Sequence, residues 1–368
     1  MEDTFDLIVV GGGPAGSVCA AVAAATGARV LVVERAIFPR DKVCGDCLNP
    51  ECWKVFDRLG LTAAVRNLPH AKIERVSFVS RGGRELAFAM ESSDRGEIAV
   101  RRRYLDDLLL RHAISSGAAV EQGAALVGVS REATGWQVTF QCGSATRQAG
   151  ARFLVAADGR NSSVARFAGL RARRGWARDR VGLQTHVPLP PSLEATVQMR
   201  SLEGGYGGLA PVGEGMLNVS LAGRPGQIDS LKAWAEREFG AIDEWRTIAP
   251  LARQALNPAP GDGLFLVGDA ARVVEPFTGE GTYYAMRSGE LAAGAIADVL
   301  AGRCAMAGAV DTYRRAHDSL YRGRLWVNRL AKLAVLYPGV AETVMRLAVH
   351  RPGWLRFVTS KVVGPLRA

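Results

Sequence analysis

The chain has 368 residues, 48% of them hydrophobic, which is enough for two domains of ordinary size with a buried core in each. Its six cysteines are irregularly spaced, it begins with a predicted strand rather than a signal segment, and its apolar runs are shorter than the roughly 18 residues that span a bilayer; these features predict a cytoplasmic protein whose membrane contacts are peripheral. The net charge is +10, but the sequence contains no recognisable nucleic-acid-binding module, which argues against a nucleic-acid partner.

A glycine-rich segment follows the first predicted strand, residues 6–10. It reads Gly11-Gly12-Gly13-Pro14-Ala15-Gly16 and leads into an alanine-rich helix. In this pattern Gly11 permits a tight turn, Gly13 lets backbone N–H groups reach a pyrophosphate, and Gly16 lets the helix pack closely on its strand. The positive end of the helix then faces the phosphates, so the segment predicts a dinucleotide site.

The second predicted strand, residues 29–33, ends at an acidic residue. Glu34 stands 18 residues after Gly16, where a carboxylate accepts a hydrogen bond from a free ribose 2′-hydroxyl. Arg35 follows directly and is included in the predicted site. This placement favours FAD or NAD over NADP.

The middle of the chain alternates between strands and helices. The predicted elements are short strands over residues 73–100, a helix over 102–116, a hairpin around 127–140, a strand over 153–157, mostly antiparallel strands over 181–222, and a helix over 229–239.

A second glycine-rich segment follows a buried strand near residue 263 and begins with Gly268-Asp269. The Asp269 carboxylate can accept hydrogen bonds from ribityl hydroxyls, and Gly279 and Gly281 let the backbone approach an isoalloxazine ring. A helix that starts near Gly281 and Thr282 points its positive end at the edge of the ring where reduced flavin carries charge. The two glycine-rich segments together predict a single FAD site.

The predicted fold class is α/β, with a Rossmann-like FAD-binding domain interleaved with a mainly antiparallel β-sheet substrate domain, plus C-terminal helices. The predicted segments are 1–80, 101–180 and 261–300 for the FAD-binding domain, 81–100 and 181–260 for the substrate domain, and 301–368 for a basic helical C-terminal region.

That C-terminal region carries 12 Lys and Arg residues against 3 Asp and Glu residues. Apolar and basic residues alternate with helical spacing over residues 324–337 and again over 344–357. Basic amphipathic helices suit an anionic membrane surface or a lipid phosphate. The alternative is a pair of terminal helices that cap the core, with their arginines in solvent.

The motif Cys44-x-x-Cys47 has two interpretations that depend on thiolate chemistry. A zinc site needs four ligands, for which Cys52 and the distant His70 are the remaining candidates. A thioredoxin-like dithiol usually follows a strand and opens a helix, whereas this pair follows a Pro-Arg loop. No metal site is predicted.

Several motifs, in this order along the chain, resemble the p-hydroxybenzoate-hydroxylase-like flavoprotein superfamily over residues 5–300. They are Gly11 to Gly16 with Glu34, Arg102-Arg103-Tyr104-Leu105-Asp106, Asp158-Gly159 and Gly268-Asp269. Within that superfamily, residues 39–50 and 268–281 are similar to the geranylgeranyl reductase family.

The resemblance implies roles for individual residues. Arg102 would reach the FAD phosphates, and Asp158 would brace the site from a neighbouring strand. Cys44 and Gly45 would lie over the flavin and line the substrate cavity as the candidate catalytic residues, while Cys47 replaces a residue that is usually Gly or Ala. The complete set of predicted cofactor-binding residues is Gly11, Gly13, Pro14, Ala15, Gly16, Glu34, Arg35, Cys44, Gly45, Arg102, Leu126, Asp158, Gly268, Asp269, Pro276, Gly279, Gly281 and Thr282.

The resemblance also implies the chemistry. The first hypothesis is a reductase that transfers hydride from reduced FAD to a carbon–carbon double bond of an isoprenoid or other lipid. The second is a monooxygenase or halogenase, in which reduced FAD traps oxygen. Arg272 after the second glycine-rich segment is reductase-like. Against this, the family's Tyr-x-Trp-x-Phe-Pro strand appears at residues 206–211 without its Trp and Phe, which predicts a roomier pocket.

The electron donor is predicted to be NAD(P)H or a ferredoxin-like redox partner. The sequence carries a single dinucleotide fingerprint, so a nicotinamide would bind transiently at the shared cleft.

Overall fold

The computed structural model describes residues 3–90, 93–170, 180–251, 253–276 and 279–322. Within these residues the chain forms three β-sheets and eight α-helices. The helices are α1 (Pro14–Ala24), α2 (Glu51–Arg58), α3 (Thr62–Arg66), α4 (Arg102–Ser115), α5 (Ser163–Phe167), α6 (Ile228–Phe239), α7 (Gly281–Leu300) and α8 (Met306–Tyr321). The strands are β1 (Asp3–Val10), β2 (Val30–Glu34), β3 (Cys47–Leu48), β4 (His70–Lys72), β5 (Arg75–Val79), β6 (Glu85–Ala89), β7 (Ile98–Val100), β8 (Ala119–Gln122), β9 (Ala124–Arg131), β10 (Trp136–Cys142), β11 (Ala145–Ala156), β12 (Val181–Pro188), β13 (Thr196–Leu202), β14 (Gly205–Pro211), β15 (Met216–Gly223), β16 (Arg246–Ile248) and β17 (Leu264–Leu266).

The first sheet is the dinucleotide-binding sheet. Its parallel strands lie in the order β8-β2-β1-β11-β17, and β10 and β9 continue the sheet as an antiparallel hairpin beside the first part of β11. Leu7 in β1 lies between Val30 in β2 and Phe153 in β11. Every residue of β2 is buried, as expected for a parallel strand that is covered on both faces.

Helices α1, α4 and α7 cover one face of this sheet. Ten of the eleven residues of α1 are buried, which explains why the helix is so rich in alanine. Where α1 meets α7, a Cβ on Gly289 would lie 2.1 Å from the Ala15 carbonyl oxygen. Only glycine allows two helix backbones to approach this closely.

The second sheet contains seven strands in the order β16-β12-β15-β14-β13-β5-β6. All of its pairs are antiparallel except β13 with β5, which are parallel. Strand β5 lies before residue 81, where the substrate-domain strands were predicted to begin. Its partner in β13 is more than a hundred residues away in sequence, and local patterning carries no signal for such a pairing.

The third sheet is small and antiparallel, in the order β3-β7-β4. It contains Cys47 and Leu48 of the Cys44-x-x-Cys47 segment, which pair with Ala99 and Ile98 in β7. Cys47 and Ala99 pack in the same apolar cluster as Val76 and Val197 of the second sheet, so the small sheet lies against the second sheet.

The predicted fold class is confirmed, because a parallel dinucleotide-binding sheet is interleaved with a mainly antiparallel second sheet. Helix α8 lies at the start of the predicted C-terminal region. The predicted basic stretches at 324–337 and 344–357 lie outside the described residues. Among the helices that the structure describes, none is long and apolar enough to span a bilayer.

Candidate active site

A cavity of about 240 Å³ lies between the carboxyl edge of the first sheet and one face of the second. In open α/β sheets, ligands bind beyond the carboxyl ends of the parallel strands, and this cavity has that position. Twelve of the predicted site residues line it: Gly13, Pro14, Ala15, Cys44, Gly45, Arg102, Gly268, Asp269, Pro276, Gly279, Gly281 and Thr282.

Three of the glycines in the first motif have different structural tasks. Gly11 has a φ of +106°, which L side chains rarely adopt. A Cβ on Gly16 would lie 1.9 Å from the Gly11 carbonyl oxygen, so this glycine is needed for helix packing. A Cβ on Gly13 would meet Arg40 Nη2 at 3.7 Å as its one neighbour within 4 Å among the described atoms, so Gly13 leaves free space in front of α1.

Glu34 is buried at the end of β2, with 6% of its surface exposed. Its Oε2 accepts a hydrogen bond from Gly12 N at 2.6 Å, and its Oε1 accepts one from Ala36 N at 2.8 Å. The carboxylate is therefore fixed beside the glycine turn, where a dinucleotide places its ribose.

Three cationic side chains lie near the start of α1, and one buried carboxylate partly balances them. Asp106 forms a two-point ion pair with Arg102 at 2.7 and 2.8 Å and a second ion pair with Arg40 at 2.8 Å. Lys42 lines the cavity in the same region. The excess positive charge beside a helix N-terminus fits the pyrophosphate of FAD. Arg102 was predicted from the sequence to reach the phosphates, whereas Arg40 and Lys42 were not.

The pKa of Lys42 is lowered to about 8, by burial first and then by the charges of Arg102 and Arg40. We therefore expect FAD affinity to fall as pH rises above about 8, by about tenfold or less per pH unit, because neutral Lys42 no longer attracts phosphate. Titration of the apoprotein with FAD from pH 6.5 to 9.5 measures this. Lys42→Arg, which stays charged, should lose the pH dependence. The same slope in both proteins would contradict the assignment.

The second glycine-rich segment forms the opposite side of the cavity. Gly268 has a φ of +55°, and its N–H donates to Ser288 Oγ at 2.8 Å, which ties the segment to α7. Asp269 accepts a hydrogen bond from Arg160 Nη2 at 3.2 Å and keeps 29% of its side chain exposed. Thr282 is buried in the first turn of α7 and faces the cavity. This arrangement fits the ribityl chain and the flavin ring.

The Cys44 carbonyl oxygen is held by side chains of the second sheet. It accepts hydrogen bonds from Gln184 Nε2 and Asn218 Nδ2, both at 2.8 Å, and from Ser220 Oγ at 3.2 Å. Cys44 and Gly45 thus line the cavity on a loop whose backbone is fixed by strands β12 and β15.

The Asp46 side chain makes further hydrogen bonds between this loop and the second sheet. The residue is buried with a φ of +59°, and its Oδ2 accepts from Asn218 Nδ2 at 2.5 Å and from Gln184 Nε2 at 3.2 Å, with His186 Nε2 at 3.0 Å. Its Oδ1 accepts from Arg102 N at 3.3 Å. We call Asp46 with Gln184, His186 and Asn218 the Asp46 clamp.

The Asp46 clamp was not predicted from the sequence, although the strands carry a signal for it. Polar residues occur at alternate positions of two strands, and Gln184 on β12 lies opposite Ser220 on β15 while His186 lies opposite Asn218. A polar stripe with period two on a buried sheet face requires buried partners.

The cysteine chemistry can be assessed from the surroundings of the thiols. Burial, with the nearby Glu97, Cys44 and Asp46, raises the pKa of Cys47 well above its usual value, which disfavours the thiolate that metals and disulfide exchange require. Cys52 lies in the core on α2, and His70 Nδ1 faces the Leu68 carbonyl oxygen at 2.8 Å. In the part of the chain that the structure describes, no group of three or more His, Cys, Asp or Glu side chains could hold a metal ion.

Six predicted cofactor residues are absent from the cavity lining. Three of them, Gly11, Gly16 and Glu34, form the glycine turn and its carboxylate, and the other three are Arg35, Leu126 and Asp158. Arg35 is exposed, and Leu126 on β9 packs against the core on the other side of the sheet. Asp158 Oδ2 accepts hydrogen bonds from Ser163 N at 2.6 Å and Val164 N at 3.1 Å, so its carboxylate caps α5. The motif order of the family placed Asp158 at the site, whereas its neighbours Gly159 and Arg160 line the cavity.

The chain is similar to known flavoproteins. A family model described as FAD binding domain matches residues 4–202 and 230–321. A menaquinone reductase of Mycobacterium tuberculosis is 32% identical over 320 residues, 80% of this chain and 76% of that protein. A digeranylgeranylglycerophospholipid reductase of Methanosarcina acetivorans is 29% identical over 321 residues, 79% of this chain and 75% of that protein.

A solved flavin-dependent brominase has the same fold. It superposes with a TM-score of 0.80 at 20% identity, covering 98% of this chain and 94% of that chain. Because the family model matches most of the chain and these two relatives in sequence are named reductases, the chain belongs to the FAD-binding domain family and, within it, to the geranylgeranyl reductase family of FAD-dependent oxidoreductases.

Proposed function

We propose that this protein reduces carbon–carbon double bonds of an isoprenoid or other lipid-like substrate. The main support for the proposal is the wall of the cavity that the second sheet forms. This wall is mainly apolar, with Val76, Phe78, Val197, Met199 and Leu209 among its residues. An apolar wall that continues from a flavin site suits a hydrocarbon chain. The name of the Methanosarcina relative, a reductase of digeranylgeranylglycerophospholipid, agrees with this proposal.

Small residues on this wall leave space for a bulky substrate. Gly182, Gly208, Ala210, Ser220 and Ala222 face the cavity from neighbouring strands. Gly208 and Ala210 occupy the positions where the family's strand pattern has Trp and Phe. The small residues leave the space open that large aromatic rings would fill.

In this proposal the chain's own residues bind, orient and shield the reactants. The start of α1 with Arg40, Lys42 and Arg102 holds the pyrophosphate, and the Asp46 clamp fixes the loop beside the ring. The apolar wall excludes water from the double bond. Reduced FAD, when bound, supplies a hydride. We further propose that a nicotinamide or a ferredoxin-like protein supplies the electrons, and that the basic C-terminal region contacts an anionic membrane.

The proposal predicts the change in the substrate. We expect the FAD-loaded enzyme, reduced with dithionite under anaerobic conditions, to add two hydrogens to a geranylgeranyl lipid, as measured by mass spectrometry. Gly208→Trp should slow this reaction at least about tenfold, because the ring fills the cavity, and should leave the FAD content unchanged.

The control is Gly128→Trp on β9, which lies away from the cavity lining. It should retain wild-type activity. If the wild type adds an oxygen or a halogen atom in air and no hydrogens without air, the protein is a monooxygenase or halogenase instead.

A further inference from the structure

Glu97 is a buried carboxyl group with no role in the FAD contacts described above. It lies directly before β7, lines the cavity, and has 7% of its surface exposed. Its Oε2 lacks a hydrogen-bond partner among the described residues. A buried polar atom without a hydrogen-bond partner destabilises the folded protein. Such an atom beside a cavity is therefore a candidate for a functional contact with a ligand.

The position of Glu97 follows from the small third sheet. Cys47 pairs with Ala99, so Glu97 lies diagonally across from Cys47 on the same face of the sheet. This face packs against the apolar cluster that contains Val76, Val197 and Ala210. Glu97 therefore faces the end of the cavity that we assign to the hydrocarbon.

The surroundings of Glu97 keep its carboxyl group protonated. Burial alone raises the pKa of Glu97 to about 8. Among the described residues, the titratable groups that face it are the thiols of Cys47 on β3 and Cys52 on α2, and burial raises the pKa of both well above the usual value. At neutral pH, Glu97 thus holds a proton and is a stronger acid than either neighbouring thiol.

We propose that Glu97 is the catalytic acid that donates the proton in the reduction of the double bond, an inference that rests on the proposed function. The π bond of the alkene breaks and two C–H bonds form. One carbon takes the hydride that reduced flavin supplies, and the other takes the proton of the Glu97 carboxyl group. The carboxylate left behind takes a proton from solvent, and the nicotinamide or ferredoxin-like donor replaces the two electrons.

The experiment compares the FAD-loaded wild type with Glu97→Gln, Glu97→Asp and the control Glu85→Gln, whose side chain is exposed on β6. General acid catalysis contributes about 10²–10⁴-fold to a rate, so Glu97→Gln should reduce the geranylgeranyl lipid at least about a hundredfold more slowly. Glu97→Asp keeps the acid and should retain more activity. The wild-type rate should fall as pH rises above about 8, and the control should behave as the wild type.

A second measurement does not depend on activity. Because the folded-state pKa of Glu97 is raised, Glu97 takes up a proton on folding, and its contribution to stability declines as pH rises from about 4.5 to about 8. Glu97→Gln removes this decline. The difference in Tm between Glu97→Gln and wild type should therefore widen over this range and level off above it, while Glu85→Gln shows no such trend.

Each outcome decides one point. If the wild type reduces the lipid and Glu97→Gln does so within threefold of its rate, Glu97 is not the acid, and the proposed function stands. If the Tm difference does not change with pH, Glu97 is charged in the folded protein and the inference fails. If the wild type reduces no alkene, the proposed function and the role of Glu97 are both overturned.

Discussion

Gly13→Val is expected to abolish FAD binding while the apoprotein stays folded. Gly13 has φ −72° and ψ −176°, a conformation that valine adopts readily and that a residue before proline prefers. A Cβ there would have Arg40 Nη2, at 3.7 Å, as its nearest described neighbour. The new methyl groups would instead occupy the cavity at the N-terminus of α1. We expect at least a hundredfold weaker binding, equivalent to about 3 kcal/mol.

Isothermal titration of the apoprotein with FAD, together with circular dichroism, measures both parts of this prediction. Gly294→Val is the matched control, because Gly294 is exposed on α7 and its Cβ would have no described neighbour within 4 Å. Gly16→Ala should behave differently and destabilise the fold, since its Cβ would lie 1.9 Å from a backbone oxygen. A Gly13→Val protein that purifies with a full complement of FAD would show that the pyrophosphate lies elsewhere.

Asp106→Asn should strongly destabilise the apoprotein. The Asp106 side chain is fully buried between Arg102 and Arg40. Burial alone would raise the pKa of Asp106, but the charge and hydrogen bonds of Arg102, with Arg40, hold it below its usual value. Removal of one partner from a buried ion pair costs about 3–5 kcal/mol, because the remaining charges are left uncompensated. FAD should restore part of this loss through its phosphates.

The adjacent residue provides the control. Asp107 pairs with another arginine on α4, Arg111, but the Arg111 side chain is 72% exposed. Asp107→Asn should cost less than about 1 kcal/mol. Urea unfolding of both variants, with and without FAD, measures the difference. Equal and small losses in the two variants would mean that the Asp106 pair is as hydrated as the surface pair.

The glycine positions of the FAD site could be predicted because their constraints are local. A turn at Gly11 and a close helix contact at Gly16 are set within a few residues of sequence. The Asp46 clamp could not be predicted in this way, since its donors at Gln184, His186 and Asn218 lie 138 to 172 residues further along the chain. Their polarity was visible in the sequence, but their common partner was not.

The same difference between local and long-range constraints explains which features of the strands and helices could be predicted. Individual elements such as β2, α4 and α6 depend on hydrophobic period and boundary residues, and the structure contains them within about a residue of their predicted limits. The sheet to which β5 belongs depends on its parallel partner β13, which lies more than a hundred residues further along the chain. The same holds for Glu97: the sequence shows a carboxylate before a short strand, and only the packed fold shows that it is buried and that its Oε2 has no hydrogen-bond partner among the described residues.

The interleaving of the two large sheets has a consequence for how the protein can be divided. After β1 and β2, the chain leaves the dinucleotide-binding sheet to form β5 and β6 of the second sheet, and it then returns to form β8 to β11. It leaves again to form β12 to β16 and returns for β17. A single cleavage between β6 and β17 therefore leaves parts of at least one large sheet on both fragments. Neither sheet corresponds to a continuous stretch of chain that could be expressed by itself, so the flavin site and the apolar wall should be lost together in a truncated chain.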